Sequence, residues 1–371
     1  MPSTKIRQQI VAKAGRIVIK VGTNAITDSA GRLDHAMVSD FAAQIAQLME
    51  AGASIALVAS GAVGAGMAEL DLPARPKELP LLQATAAVGQ GELMRTFHDV
   101  FARLGVKVAQ VLLTRDDFEH RSRYLSIRNT LSALEALGAL PIINENDAVG
   151  GRAVCFGDND LIAALLSNML RADMLVLLSN VDGVLKDGKV VEMIEHVDKA
   201  ALSLAGSHRS KLGSGGMGSK MTAAGMVAGA GEVAVIANAR MPGVLVRLLA
   251  GENIGTIFVP AKRRMSSRRR WIGQASRPAG KILIDDGAVR ALTQLGKSLL
   301  PSGVRAVSGN FKRGATVSII DSGGMQIARG LANYSSEEID KIKGLKSTQI
   351  AKALGEKTAD EVVHRDNMSM G

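Results

Sequence analysis

RIVIKVGTN (residues 16–24) decides the fold. Ile17, Val18, Ile19 and Val21 make a β-branched strand, and the run ends on Lys20 and Gly22, where an apolar strand gives way to a turn that carries a lysine. Further short apolar stretches lie at 54–59, 106–112, 140–143, 173–178, 232–236 and 255–259. Between them run amphipathic or alanine-rich segments, 36–50, 81–104, 122–137, 159–171 and 218–229, which read as helices. Strands apolar on both faces and separated by helices predict a three-layer α/β/α unit with a mostly parallel sheet. Ligands of such sheets bind beyond the carboxyl ends of the strands, and the polar motifs of this chain fall there.

A second glycine-rich loop, GSGGMGSK (213–220), ends on Lys220 and opens a helical pattern. Glycines let backbone N–H groups approach phosphate oxygens, and a helix N-terminus favours negative charge. With Lys20 and Lys220 to neutralise a phosphoryl group in transit, the pair of loops reads as a small-molecule kinase. The spacing of Gly213 and Gly218 imitates a P-loop, but Ser219 precedes Lys220 where a P-loop has lysine first, and no strand clearly leads into the loop. The P-loop reading is rejected and phosphate contact kept. ASGAVGAG (59–66) joins a strand to a helix and offers the Ser60 hydroxyl, although many such junctions only turn tightly. INENDAV (143–149) ends a strand on four polar residues, Asn144 to Asp147, more than a plain loop needs. GDND (157–160) opens a helix with two carboxylates and Asn159, Asp158 being equally suited to capping. LSNVDGV (178–184) suits either a nucleotide contact or a simple turn.

Six scattered histidines lack metal-site spacing, no G-x-S-x-G elbow surrounds Ser60, and no G-x-G-x-x-G follows the first strand. Zinc, hydrolase and dinucleotide readings fall away. The single cysteine, Cys155, reads as a small apolar residue and excludes an internal disulfide, which fits a reducing cytoplasm. The first 20 residues have no apolar signal core, and no apolar run reaches the roughly 18 residues of a membrane span.

At 371 residues, two domains are expected. The net charge of +10 is unevenly placed: residues 1–261 hold 25 Lys+Arg against 25 Asp+Glu, and residues 262–371 hold 20 against 10. Seven of those cations crowd 262–277, which contains no acid and reads as a basic linker or a surface for an acidic partner. The expected division is 1–261, a linker at 262–279, and 280–371. Glycine-punctuated strands in the last segment predict a small β-rich barrel.

VIKVGTN, ASGAVGAG, AAVGQGELM, LLTRDDF, INENDAV, GDND and GSGGMGSK, in this order, resemble the glutamate 5-kinases of the amino acid kinase family. PAGKILIDDGAVRAL, SLLPSGVRAVSGNFKRG and VHRDNM resemble the PUA domain that many bacterial members carry, so the likeness covers nearly the whole chain. It implies an ATP- and glutamate-binding kinase domain at 1–261 and a PUA domain at 280–371. The implied reaction moves the ATP γ-phosphoryl group to the side-chain carboxylate of L-glutamate, the first step of proline biosynthesis, with Mg²⁺ arriving on ATP. Lys20 and Lys220 match the catalytic lysines and Asp160 the acid that holds them. Ser60, Asp147 and Asn159 match glutamate-binding positions. ATP contacts are implied at Lys20, Gly22, Ser179, Asn180, Ser214, Gly215, Gly216, Met217, Gly218, Ser219 and Lys220. Backbone N–H groups near Gly22 and Gly61 are expected to help hold the phosphoryl group. Asn180 departs from the family, which has an acid there, and this predicts weaker ATP binding. Feedback inhibition by proline and a dimer or tetramer are further implications of the resemblance. Kinases acting on N-acetylglutamate, aspartate, carbamate or a nucleotide are the rivals within the class. RNA binding through the PUA domain is the rival outside it, with Trp271 as its one stacking candidate in a chain only 3% aromatic.

Overall fold

A computed structural model of the chain describes residues 7–8, 10–11, 14–28, 31–149, 159–205, 216–262 and 264–370. They group into two compact units, 1–117 with 122–264, and 118–121 with 265–371.

The first unit is built on an eight-stranded sheet. Its strands are β1 (Arg16–Val21), β2 (Ser54–Ala59), β3 (Lys107–Leu113), β4 (Ala139–Glu145), β5 (Met174–Ser179), β8 (Met193–Ile194), β9 (Val233–Asn238) and β10 (Thr256–Phe258). A separate two-residue hairpin supplies β6 (Leu185–Lys186) and β7 (Lys189–Val190). The spatial order is β3-β4-β2-β1-β5-β9-β10-β8, parallel from β3 to β9, with β10 antiparallel to β9. Strands β1, β2, β4, β5 and β9 are buried almost throughout, as their two-sided apolar sequence requires.

Odd-numbered residues of β1 (Ile17, Ile19, Val21) enter a core with Phe41, Ile45, Phe97 and Phe101 from helices His35–Glu50 and Leu79–Arg103. Lys20 therefore points to the other face, where helices Asn159–Leu170 and Met217–Gly229 pack. After β2 the chain turns through Gly61, whose φ of 118° is open to glycine alone, into helix Ala62–Glu69. That helix lies against Leu79–Arg103 without side chains between them: a Cβ on Gly66 would stand 1.8 Å from the Thr85 carbonyl oxygen, and one on Gly89 1.9 Å from that of Ala62. The approach sets Ser60 and Gln90 over the same strand ends.

The expected strands are all present, within one or two residues. The largest departure is β4, which runs on through Asn144 and Glu145 because both pair with β3, opposite Leu112 and Leu113.

In the second unit β11 (Gly280–Ile284), β12 (Val304–Ser308), β13 (Thr316–Ile320), β14 (Gln326–Leu331) and β15 (Met368–Met370) form one sheet in the order β12-β11-β13-β14-β15. Pairing is antiparallel except between β11 and β13. Ile282, Ile284, Val317, Ile319, Tyr334 and Ile339 are among the residues that fill its core. Trp271 lies in this unit, 7% exposed. Its indole N–H donates to the Phe118 carbonyl at 3.0 Å, and the Arg121 guanidinium lies 5.2 Å from the ring centroid. The ring that RNA stacking would need is buried and occupied.

Candidate active site

Lys20 enters from the end of β1, Lys220 from the first turn of Met217–Gly229, and Asp160 from the first turn of Asn159–Leu170, where a helix N-terminus favours an anion. The Lys20 ammonium is 2.7 Å from Asp160 Oδ1 and the Lys220 ammonium 3.1 Å from Oδ2. The Ser219 hydroxyl donates to the same Oδ2 at 2.7 Å. All three charged side chains are nearly sealed from solvent, Asp160 at 1%. Burial alone would raise the Asp160 pKa, but the two lysines and Ser219 overcome it and hold the carboxyl well below its usual range. The Lys220 pKa is lowered as well, which for an ammonium disfavours the charged form: burial lowers it, Asp160 opposes this, and Lys20 adds to it. Among the described residues two cations thus share one anion at the mouth of the sheet.

Beside it lies a web of neutral polar groups. Asn159 Nδ2 donates to Ser60 Oγ and to Asn144 Oδ1, each at 3.0 Å, and Asn159 Oδ1 accepts from the Glu145 N–H at 3.2 Å. Asn144 Nδ2 donates to Gln90 Oε1 at 2.7 Å. Because Ser60 Oγ accepts here, its own O–H remains a donor. Asn144 and Gln90 were not singled out as site residues from sequence. The first lies within the polar run and the second within AAVGQGELM, and only the strand end and the glycine-mediated helix contact bring them together.

Asp147, just past β4, is half-buried, and its buried Oδ1 has no hydrogen-bond partner. Burial pushes its pKa up to about 6 against the charge of Arg75. A carboxylate in this state accepts a cationic ligand.

The other expected positions are less concentrated. Gly22 follows β1, but its N–H donates to the Leu178 carbonyl at 3.3 Å. Ser179 ends β5, and its hydroxyl is 3.4 Å from Asn180 Oδ1; Asn180 is exposed. Gly216 is the residue before helix Met217–Gly229, so Gly216, Met217 and Gly218 form its entry. Ser214 and Gly215 lie outside the described residues, as do Cys155, Gly157 and Asp158.

The fold and the chemistry find counterparts among known proteins. The amino acid kinase family model matches residues 15–238, and the PUA domain model residues 280–354. A glutamate 5-kinase of Caldanaerobacter subterraneus subsp. tengcongensis is 45% identical over 360 residues, 95% of this chain and 97% of its own. One from Geobacter sulfurreducens is 42% identical over 370 residues, 98% and 99% of the two chains. A third, from a Thermoanaerobacter species, is 44% identical over 360 residues, 95% and 97%. With Lys20, Asp160 and Lys220 gathered at the carboxyl ends of a parallel sheet and a likeness that runs almost end to end, the chain belongs to the glutamate 5-kinases of the amino acid kinase family.

Proposed function

We propose that this chain transfers the γ-phosphoryl group of ATP to the side-chain carboxylate of L-glutamate, giving L-glutamyl 5-phosphate, the first step of proline biosynthesis. The observation that carries this reading is the pair of buried lysines tied to Asp160. A carboxylate oxygen of glutamate forms the new bond to the γ-phosphorus, the bond to the β–γ bridging oxygen breaks, and ADP leaves with the electron pair. The attacking carboxylate and the phosphates are all anionic, so the work of the site is charge neutralisation and alignment. Lys20 and Lys220 supply the cations on the transferring group, and Asp160 holds both before substrates bind. Asp147 accepts the α-ammonium of glutamate and the Ser60 hydroxyl donates to a carboxylate, while Asn159 does so by exchanging one of the two amide protons it gives to Ser60 and Asn144 in the empty site.

ATP extends over the end of β5 and the entry to Met217–Gly229, with Ser179, Asn180 and 214–220 as its contacts. It brings Mg²⁺, whose chemistry is to screen the phosphate charge. Among the described residues no group of three His, Cys, Asp or Glu could hold the ion, and both oxygens of Asp160 are engaged by lysines and Ser219. The protein side chains described do not fit a metal cage, so phosphate oxygens and water carry the ion. Residues 1–261 do this chemistry, 262–279 link, and 280–371 are the PUA domain. Proline is the feedback inhibitor, and the enzyme works as a dimer or tetramer.

The test is an ATP/Mg²⁺ assay that traps the acyl phosphate with hydroxylamine. Hydroxamate from L-glutamate, none from N-acetylglutamate or aspartate, and loss of signal on adding L-proline are expected. Product from another acceptor alone would overturn the assignment.

A further inference from the structure

A Lys220 that moved with a phosphoryl group and away from Asp160 would strip a buried carboxylate oxygen of one of its two donors. The other donor is Ser219, at 2.7 Å from Oδ2 against 3.1 Å for Lys220. A hydroxyl has one proton, and Ser219 Oγ also lies 2.9 Å from the Gly216 carbonyl oxygen. Rotation about its Cβ–Oγ bond therefore moves that proton between a charged and a neutral acceptor without displacing a heavy atom. Among the described residues Lys20 has no such companion: its ammonium lies 2.7 Å from the other oxygen, Oδ1.

We propose that Ser219 is a positioning residue whose hydroxyl holds Asp160 Oδ2 in place of Lys220, leaving Lys20 fixed and Lys220 free to move with the phosphoryl group. This accounts for the reversed order, serine before lysine. In a P-loop the hydroxyl that follows the lysine faces the metal, whereas here the preceding hydroxyl turns inward to the carboxylate. Backbone contact of residue 219 with ATP is untouched by this assignment. The kinetic part of the proposal rests on the glutamate kinase reading, and the labelling part does not.

Ser219→Ala and Ser219→Thr are compared with wild type in the full-length protein. Ser219→Ala should lower kcat about tenfold with KM for ATP and glutamate within about twofold, and Ser219→Thr, which keeps the hydroxyl, should retain at least about half of kcat. Raised KM for ATP at unchanged kcat would make the hydroxyl a nucleotide ligand and overturn the proposal. So would a threonine variant as slow as the alanine one, which would point to shape.

The second readout is carbamylation of Lys220 by cyanate in the absence of nucleotide, followed by peptide mass mapping. Among the described residues the charged groups acting on Lys220 are Asp160 and Lys20. With one donor fewer on Oδ2, Asp160 holds the Lys220 ammonium more firmly, so labelling should slow about threefold or more in Ser219→Ala and stay near wild type in Ser219→Thr. Equal rates in all three proteins overturn the proposal whatever the acceptor. If wild type makes no hydroxamate from glutamate, the acceptor assignment falls and the labelling rates still decide the role of Ser219.

Discussion

Asp160 and Asp147 are carboxylates of one sheet mouth, and they differ in every respect that matters. Asp160 is sealed and ionised, its Oδ2 bonded by Lys220 and Ser219 and its Oδ1 held by the Lys20 ammonium as an ion pair at 2.7 Å rather than by an aligned hydrogen bond. Asp147 has a buried oxygen without a donor, and its pKa is pushed up to about 6. One is finished by the protein before any substrate arrives. The other, on the proposed function, is finished by the substrate. The first arrangement fixes charges where the transition state needs them, and the second makes recognition costly to the empty protein and favourable only when a cation arrives.

The largest effect is expected from breaking the finished centre. Asp160→Ala leaves two buried ammonium groups without their anion, so stability should fall by about 3–5 kcal/mol in a denaturant titration. Activity should fall further than for loss of either lysine. Lys220→Ala removes one cation and leaves the Lys20–Asp160 pair, so the fold should hold while kcat drops roughly 10²–10³-fold, by analogy with losing one oxyanion donor. A Lys220→Ala enzyme that keeps most of its kcat would take that lysine out of the chemistry.

Asp147 should behave in the opposite sense. A carboxyl whose folded-state pKa lies above its unfolded value binds its proton more tightly when folded. Its contribution is therefore favourable at low pH and is lost as pH rises from about 4 to about 6. Above that window the ionised group costs the empty protein about 2–3 kcal/mol, two pKa units at about 1.4 kcal/mol each. Asp147→Asn removes the cost and should raise Tm at pH 8, while raising KM for glutamate about tenfold or more. In the wild type, kcat/KM for glutamate should fall as the pH drops below about 6, and the variant should lose that limb. An Asp147→Asn protein that melts lower than wild type would mean the carboxylate is already satisfied, and the contrast with Asp160 would collapse.

The contrast was only half legible in the sequence. β1 and β2 could be read to the residue, because Ile17–Val21 and Ile55–Ala59 are apolar on both faces and end on Lys20 and Ser60. Lys20 and Lys220 were recognisable as cations on glycine loops. What a linear reading lacks is distance: residues 59 positions apart share Asp160 Oδ2 through Ser219, and nothing local distinguishes Ser219 as its donor. Gln90 escaped for the same reason, since its place depends on Gly66 and Gly89 letting two helices touch. The helix that ASGAVGAG enters was expected but its bounds, Ala62–Glu69, were not, because its small residues show no periodicity, and strand β15 was missed because three residues leave none to read. Trp271 could be read as a stacking platform because burial cannot be seen in a basic run of sequence.

A third carboxylate can be built to sharpen the comparison. Asn180 stands at the end of β5 where the resemblance leads one to expect an acid, and it is exposed, with the Ser179 hydroxyl 3.4 Å from its oxygen. Asn180→Asp would add an anion that is neither buried nor saturated, so it should change stability little. If it meets the ribose or base of ATP, a neutral hydrogen bond becomes charge-assisted, and KM for ATP should fall by up to about tenfold, about 1.4 kcal/mol. Glutamate KM and kcat should stay put, because Asp160 and Asp147 are untouched. Solvent competes for an exposed group far more than for a buried one, which makes this the smallest of the expected effects. An unchanged KM for ATP would mean that residue 180 does not touch the nucleotide, and that nucleotide affinity here is set by the lysines and the loop before Met217.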